Sequence, residues 1–315
     1  MTLGAPLADD RASGVASPPA AARRAARRWR VSRRDRAGYL FMLPAVVLVA
    51  CVSVLPVFFA VRLSLHQTQY ATLGRFVGLA NFAALLRDPA FLRSLSTSAL
   101  YVLPSLALAV PLGLGLAVLL NQPVRARVVF RTLIILPWVV SQTVTALLWL
   151  WLLNYDFGPL NFAIRALRGA AVDFLTPDLA LPTLVGVNVW RSYPFPTIML
   201  LAALQTVPHE LYEAVAIDGA SAAGAFRWVT LPWIRSTLLI TLIALTIEYF
   251  NMVTLIYVLT GGGPLGLTET VSLRVFNTAF TYWRLGSATA MGMVIFALNA
   301  VFSWLYLRTL RREAG

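Results

Sequence analysis

The sequence predicts an all-α membrane protein of six transmembrane helices. Three observations carry that prediction: the charge content, the length of the apolar runs and the placement of the arginines. Only 12% of the 315 residues are charged and 59% are hydrophobic, where a soluble domain keeps about a quarter of its residues charged. A helix needs about 20 apolar residues to cross a bilayer. Four charge-free runs meet that length, between Arg36 and Arg62, Arg93 and Arg125, Arg131 and Asp156, and Arg284 and Arg308. Two further runs, about 181–206 and 234–258, qualify with one charge in the interior of each, Arg191 and Glu248, Arg235 standing at the start of the second.

Residues 1–36 come first and read differently. They are rich in Ala, Arg, Ser and Pro and have no apolar face, so a disordered basic tail is expected. The arginine cluster from Arg23 to Arg36 precedes a span directly, which favours topology and contact with membrane lipid over nucleic-acid binding. The apolar stretch after it is too long for a signal peptide. Residues 37–312 then form a single transmembrane domain. With the N-terminus in the cytoplasm, the inner segments carry Arg125, Arg127, Arg131, Arg227, Arg235, Arg308, Arg311 and Arg312. With the tail counted, the outer segments hold fewer arginines, and their acids Asp88, Asp156, Asp173, Asp178 and Glu269 partly offset them. That asymmetry follows the positive-inside rule and puts both termini in the cytoplasm. Trp149, Trp151 and Tyr155, and Trp228 with Trp233, suit interfacial belts.

Composition also excludes chemistries. The net charge is +13 and the chain contains no lysine, so it has neither a P-loop lysine nor a Schiff-base lysine. Cys51 is single, and His66 and His209 lie far apart without metal-site spacing. Serine-elbow and zincin motifs are missing. No catalytic or metal-binding residue is expected, and no cofactor on this chain.

The segment 207–232 stands out. Pro208 sits near a helix start, Glu210 and Glu213 lie in early turns, and Gly219 falls where a helix ends in a left-handed residue. A second short helix is expected from Ser221 to Trp228, and Pro232 should restart the chain into the fifth span. The small residues would let this helix-turn-helix seat against another protein. An ordinary amphipathic interfacial loop fits the same physics equally well.

Residue order adds information. Glu213-Ala214-Val215-Ala216-Ile217-Asp218-Gly219-Ala220, followed by Val229-Thr230-Leu231-Pro232, resembles the EAA loop of binding-protein-dependent ABC importer permeases. Val215 replaces the second alanine. Tyr257-Val258-Leu259-Thr260-Gly261-Gly262-Gly263-Pro264 resembles the signature of the first permease in carbohydrate importers of the maltose and glycerol-phosphate type. Trp190 and Leu204-Gln205-x-x-Pro208 suit that subfamily, and the resemblance spans roughly residues 40–310.

The resemblance implies a type I ABC importer permease fold, multi-pass in the bacterial cytoplasmic (inner) membrane. It implies a heterodimer with a second permease, two ATPase subunits or domains that hold ATP and magnesium, and an extracytoplasmic substrate-binding protein. It further implies that Glu213, Ala214, Asp218, Gly219, Ala220, Leu231 and Pro232 couple to the ATPase. Glu213 would contact it, Gly219 would make the turn and Asp218 would hold the loop's shape. The family match also puts Arg191, Ser192, Phe195, Leu245, Glu248, Tyr249 and Met252 at substrate positions. The expected cargo is a sugar or related polyol, with a glycerol-phosphate-type substrate or a stand-alone secondary transporter as alternatives.

The spans themselves point to some of these residues. Charges within a bilayer cost about 2.5–3.5 kcal/mol near a helix centre, so Glu248 and Arg191 are functional candidates. Leu245, Glu248, Tyr249 and Met252 share one helical face. Pro194 and Pro196 should break the fourth span, and broken helices are common at transporter binding sites. Two plain readings stand beside the functional one: Arg191 and Glu248 form a structural ion pair, or Arg191 snorkels to the interface.

Overall fold

The computed structural model describes residues 33–311 except 71, 124 and 126. The expected disordered tail therefore lies almost wholly outside the described residues. The chain divides into two units at Pro56. The described part of the first is the apolar stretch of helix α1 (Arg33–Ser64), whose side chains from Tyr39 to Leu55 are exposed.

The second unit begins inside α1 and continues through a short antiparallel hairpin, β1 (His66–Gln69) and β2 (Thr72–Phe76). Helices α2 (Ala80–Arg87), α3 (Pro89–Asn121), α4 (Arg127–Val139), α5 (Gln142–Leu152), α6 (Pro159–Arg168), α7 (Ala180–Ser192) and α8 (Pro194–Leu204) follow. Then come α9 (His209–Ile217), α10 (Ala222–Ala225), α11 (Leu231–Phe250), α12 (Thr254–Leu259), α13 (Val271–Phe276) and α14 (Leu285–Arg311).

Among the described residues, four helical stretches are long and apolar enough to cross a membrane: the α1 stretch Tyr39–Ser64, α3, the stretch Ala222–Phe250 and α14. The pair α4 and α5 passes the same test together, but bends by 97°. The break lies just past Pro137, and Ser141 starts the new helix by accepting from Val144 N. The run between Arg131 and Asp156 is thus a broken element, not a straight span.

Two more boundaries differ from expectation. The helix beginning at Ala222 does not restart at Pro232; it runs through a wide turn over Phe226–Thr230 into α11. The i→i+5 bonding of that turn accommodates a proline that has no N–H to give. At the other end α11 stops at Phe250, and residues 254–259 form the separate α12. The predicted break in the fourth apolar run is present, at Tyr193 between α7 and α8.

The core is built where α3, α7, α11 and α14 meet, around Tyr101, Leu184, Leu245, Tyr249 and Ile295. A second cluster joins Ala117 and Leu120 of α3 to Leu200, Leu204 and Ile234. Lipid gives helices little hydrophobic reason to associate, so close approach and polar contacts must do so. Gly113 shows the first: a Cβ there would stand 2.8 Å from the Pro196 ring. Ser98 shows the second, its hydroxyl accepting from Val271 N at 2.9 Å. Trp149 packs edge-on against Trp190 at 5.5 Å between centroids.

The ends of α3 mark two faces of the second unit. At one end Asp88 caps the helix, and Arg274 lies 3.7 Å from Asp88 and 2.9 Å from Glu269. The other end, at Leu120, shares a hollow with Arg131, Leu201 and Gln205 and adjoins the 206–232 segment. The glycine-rich stretch 261–264 lies toward the Asp88 end, where Thr268 folds back and donates to the Gly263 carbonyl at 2.6 Å.

Candidate solute pathway and coupling loop

Two sets of sequence-predicted residues emerge as two distinct places. The first is buried between α7 and α11. The Arg191 guanidinium donates to the Glu248 carboxylate, and the Ser192 hydroxyl lies 2.5 Å from the Tyr249 hydroxyl. The break at Tyr193 ends α7 here, so neighbouring residues 191 and 192 both face α11. Arg191 is almost fully enclosed, with 6% of its side chain accessible, while Glu248 keeps 33%. The structure thus decides between the plain readings of these charges: they pair.

Leu245 and Tyr249 are buried on one face of α11, whereas Met252, expected on that face, is buried in the irregular turn beyond the helix end at Phe250. Phe195 is half-buried and stands against Trp138, 6.0 Å between centroids. All seven predicted substrate residues therefore lie around the α7–α8 break and the end of α11.

Sequence reasoning missed part of this region. Asn188, one turn before Arg191, is fully buried, and among the described residues neither atom of its amide has a hydrogen-bond partner. The Tyr101 hydroxyl and Ser105 hydroxyl on α3 and the Arg191 Nε are likewise unpartnered. The Tyr101 ring faces Tyr249 at 6.4 Å. A buried polar group without a partner costs about 1–3 kcal/mol, so this cluster is stabilised by any polar molecule that reaches it. A polar residue within an apolar span was the available signal.

The second place is the 206–232 segment. Helix α9 starts after Pro208 and ends in Gly219, whose φ is +79°. That value is left-handed, and a residue with a Cβ would be strained there although the space around it is open. Ser221 then caps α10 by accepting from Gly224 N. Two side-chain bonds tie the segment down: Tyr212 to Thr230 at 2.9 Å and Trp233 to Thr206 at 3.2 Å.

What the segment leaves open is its outer face. No residue of α9 is buried; Ile217 is 86% exposed, and Glu213 contacts only His209 one turn back among the described residues. Ala214, Asp218, Gly219, Ala220 and Pro232 are also exposed, and Leu231 is half-buried. The Asp218 carboxylate makes no hydrogen bond among the described residues, so the turn is held by backbone bonds from Gly219 to Ala216 and from Ala220 to Val215, each 3.1 Å.

Comparison with known proteins matches residues 109–313 to the family described as binding-protein-dependent transport system inner membrane component. The chain belongs to that family. It is therefore an inner-membrane transport component, and the resemblance read from the EAA-like loop holds. The trehalose/maltose transport system permease protein of Thermococcus litoralis is 36% identical over 88% of this chain and 94% of its own length. The sulfoquinovosyl glycerol transport system permease protein of Agrobacterium fabrum is 30% identical over 87% and 90%. In structure, a chain of a bacterial alginate ABC transporter superposes with a TM-score of 0.79 at 22% identity, covering 91% of this chain and 98% of that one. The fold is thus that of an ABC permease.

Proposed function

We propose that this chain is one of two permease subunits of an ATP-driven importer for a sugar or related polyol. Its six spans are α1, α3, the bent pair α4–α5, the broken pair α7–α8, α11 and α14, with both termini in the cytoplasm. The Asp88 end of α3 faces outward, where an extracytoplasmic binding protein delivers solute. The 206–232 segment faces inward, where two ATPase subunits bind ATP and magnesium.

One observation carries the coupling role. Helix α9 leaves Glu213, Ala214 and Ile217 exposed, yet it is held by the Tyr212–Thr230 bond and by the left-handed turn at Gly219. A segment that is rigid and has an open apolar face is prepared for a protein partner, because its ordering cost is already met before docking. Motion of that partner is then transmitted through the continuous helix Ala222–Phe250, which carries Glu248 and Tyr249 at its far end.

The sugar assignment is supported by the relatives that bear sugar names and by the buried polar cluster on α3, α7 and α11. Arg191 is neutralised by Glu248, which disfavours a phosphate ester as cargo, since an anion would have to displace the carboxylate. A stand-alone secondary transporter leaves the open face of α9 without a purpose.

The test is uptake by proteoliposomes that hold this chain with its partner subunits. Transport of a labelled sugar that requires both internal ATP and the external binding protein is the expected result. Uptake independent of ATP would overturn the reading.

A further inference from the structure

At the Asp88 end of the second unit lies a hollow of about 900 Å³ that the pathway does not use. Its wall is built from the β1–β2 hairpin on one side and the approach to α14 on the other. Two of its aromatic residues, Tyr70 and Trp283, hold left-handed backbone angles, φ 55° and 56°. Such angles cost a bulky residue about 1–3 kcal/mol and persist only where the surroundings enforce them. Here Tyr70 bridges Arg284, the Thr68 hydroxyl accepts from Gly286 N at 2.8 Å, and Asn81 donates to the Ser64 and His66 carbonyls at 2.7 and 3.0 Å.

The enforced geometry puts rings and hydrogen-bonding groups around one space. Tyr70, Tyr282 and Trp283 are 75%, 64% and 46% exposed, and Gln67, Gln69 and Arg284 line the same hollow. An aromatic face takes the C–H face of a sugar ring, and amides and a guanidinium take its hydroxyls. The volume is that of an ordinary small-ligand site. A ring set that only anchored the chain in lipid would not need to look into a space lined by side-chain amides.

We propose that this hollow is a saccharide-holding vestibule, occupied by a neutral oligosaccharide before it enters the path between α7 and α11. The proposal rests on the sugar-importer reading above. Trp283 and Tyr282 stack on the sugar, while Gln67, Gln69 and Arg284 hydrogen-bond its hydroxyls.

The experiment uses the complete transporter in lipid nanodiscs, without binding protein, and saturation-transfer NMR with maltotriose, cellotriose and trehalose as probes. Expected is transfer to the ring protons of at least one probe, and an affinity about tenfold weaker when Trp283→Ala and Tyr282→Ala are combined, two stacking contacts being lost. Gln67→Leu with Gln69→Leu should weaken the same probe, and Phe162→Ala, which removes an exposed ring on α6 that lines neither the hollow nor the pathway, should leave it unchanged. Each variant is checked for intact assembly by gel filtration. Transfer to none of the probes, transfer indifferent to both double substitutions, or transfer lost equally in Phe162→Ala would overturn the vestibule. So would a double variant that loses only affinity for the binding protein. ATP-driven uptake of the same sugars is measured in parallel: uptake without vestibule binding overturns this inference alone, whereas no uptake of any sugar overturns the importer reading beneath it.

Discussion

The two candidate sites of this chain are built in opposite ways. Between α7 and α11, Arg191 pairs with Glu248 and Ser192 with Tyr249 across two helices, with Arg191, Ser192 and Tyr249 buried. In the 206–232 segment, bonds from Tyr212 to Thr230 and from Trp233 to Thr206 hold the segment, and no side chain of α9 is buried. The contrast teaches how each responds to change. A substitution in the buried set alters the permease itself, while one on α9 alters what the permease can hold.

The largest effect that would test this contrast is at Gly219. Replacement by Asp forces a side chain onto φ +79° and puts a charge on the docking face; uptake should be abolished while immunoblots show normal membrane insertion. Glu213→Lys should act in the same way. Normal uptake by either would erase the distinction.

Next comes the ion pair. Glu248→Ala leaves the enclosed Arg191 charge unpartnered, and losing one partner of a buried pair costs about 3–5 kcal/mol. Glu248 retains a third of its exposure, so the lower part of that range is expected, read as a fall in the melting temperature of the detergent-solubilised protein. Joining Arg191→Met to Glu248→Met should recover most of it. A double variant no more stable than Glu248→Ala would mean that the pair is not the relevant contact.

Smaller still is Tyr249→Phe, which removes one hydrogen bond to Ser192 worth about 1 kcal/mol. It should lower the melting temperature slightly and shift the KM for uptake more than the rate. Smallest is Tyr212→Phe, which frees α9 from Thr230. Here the melting temperature should stay constant while ATPase activity becomes less responsive to solute, reversing the pattern seen at Tyr249.

The same contrast explains what the sequence revealed. Four membrane-length helices were legible because lipid demands long apolar runs, and the helix-turn-helix at 207–232 because its turn needs a left-handed residue, Gly219. The 97° bend between α4 and α5 was not, because Pro137 and Ser141 lie inside a run with no charge to mark it. The β1–β2 hairpin was missed because strands of four and five residues carry little alternation. Asn188, Tyr101 and Ser105 were overlooked since single polar residues in an apolar span stand out less than charges do. Which of two polar groups meet across 57 residues, as Arg191 and Glu248 do, depends on how the helices pack and not on local pattern.

The central claim is that the 206–232 segment docks an ATPase. Its most direct test is affinity purification of this chain in mild detergent after co-expression with the neighbouring genes of its operon. The account predicts that a second permease and an ATPase purify with it, and that the ATPase alone is lost in Gly219→Asp and Glu213→Lys. A chain that purifies stably with no ATPase, or variants that retain the ATPase in full, would contradict it.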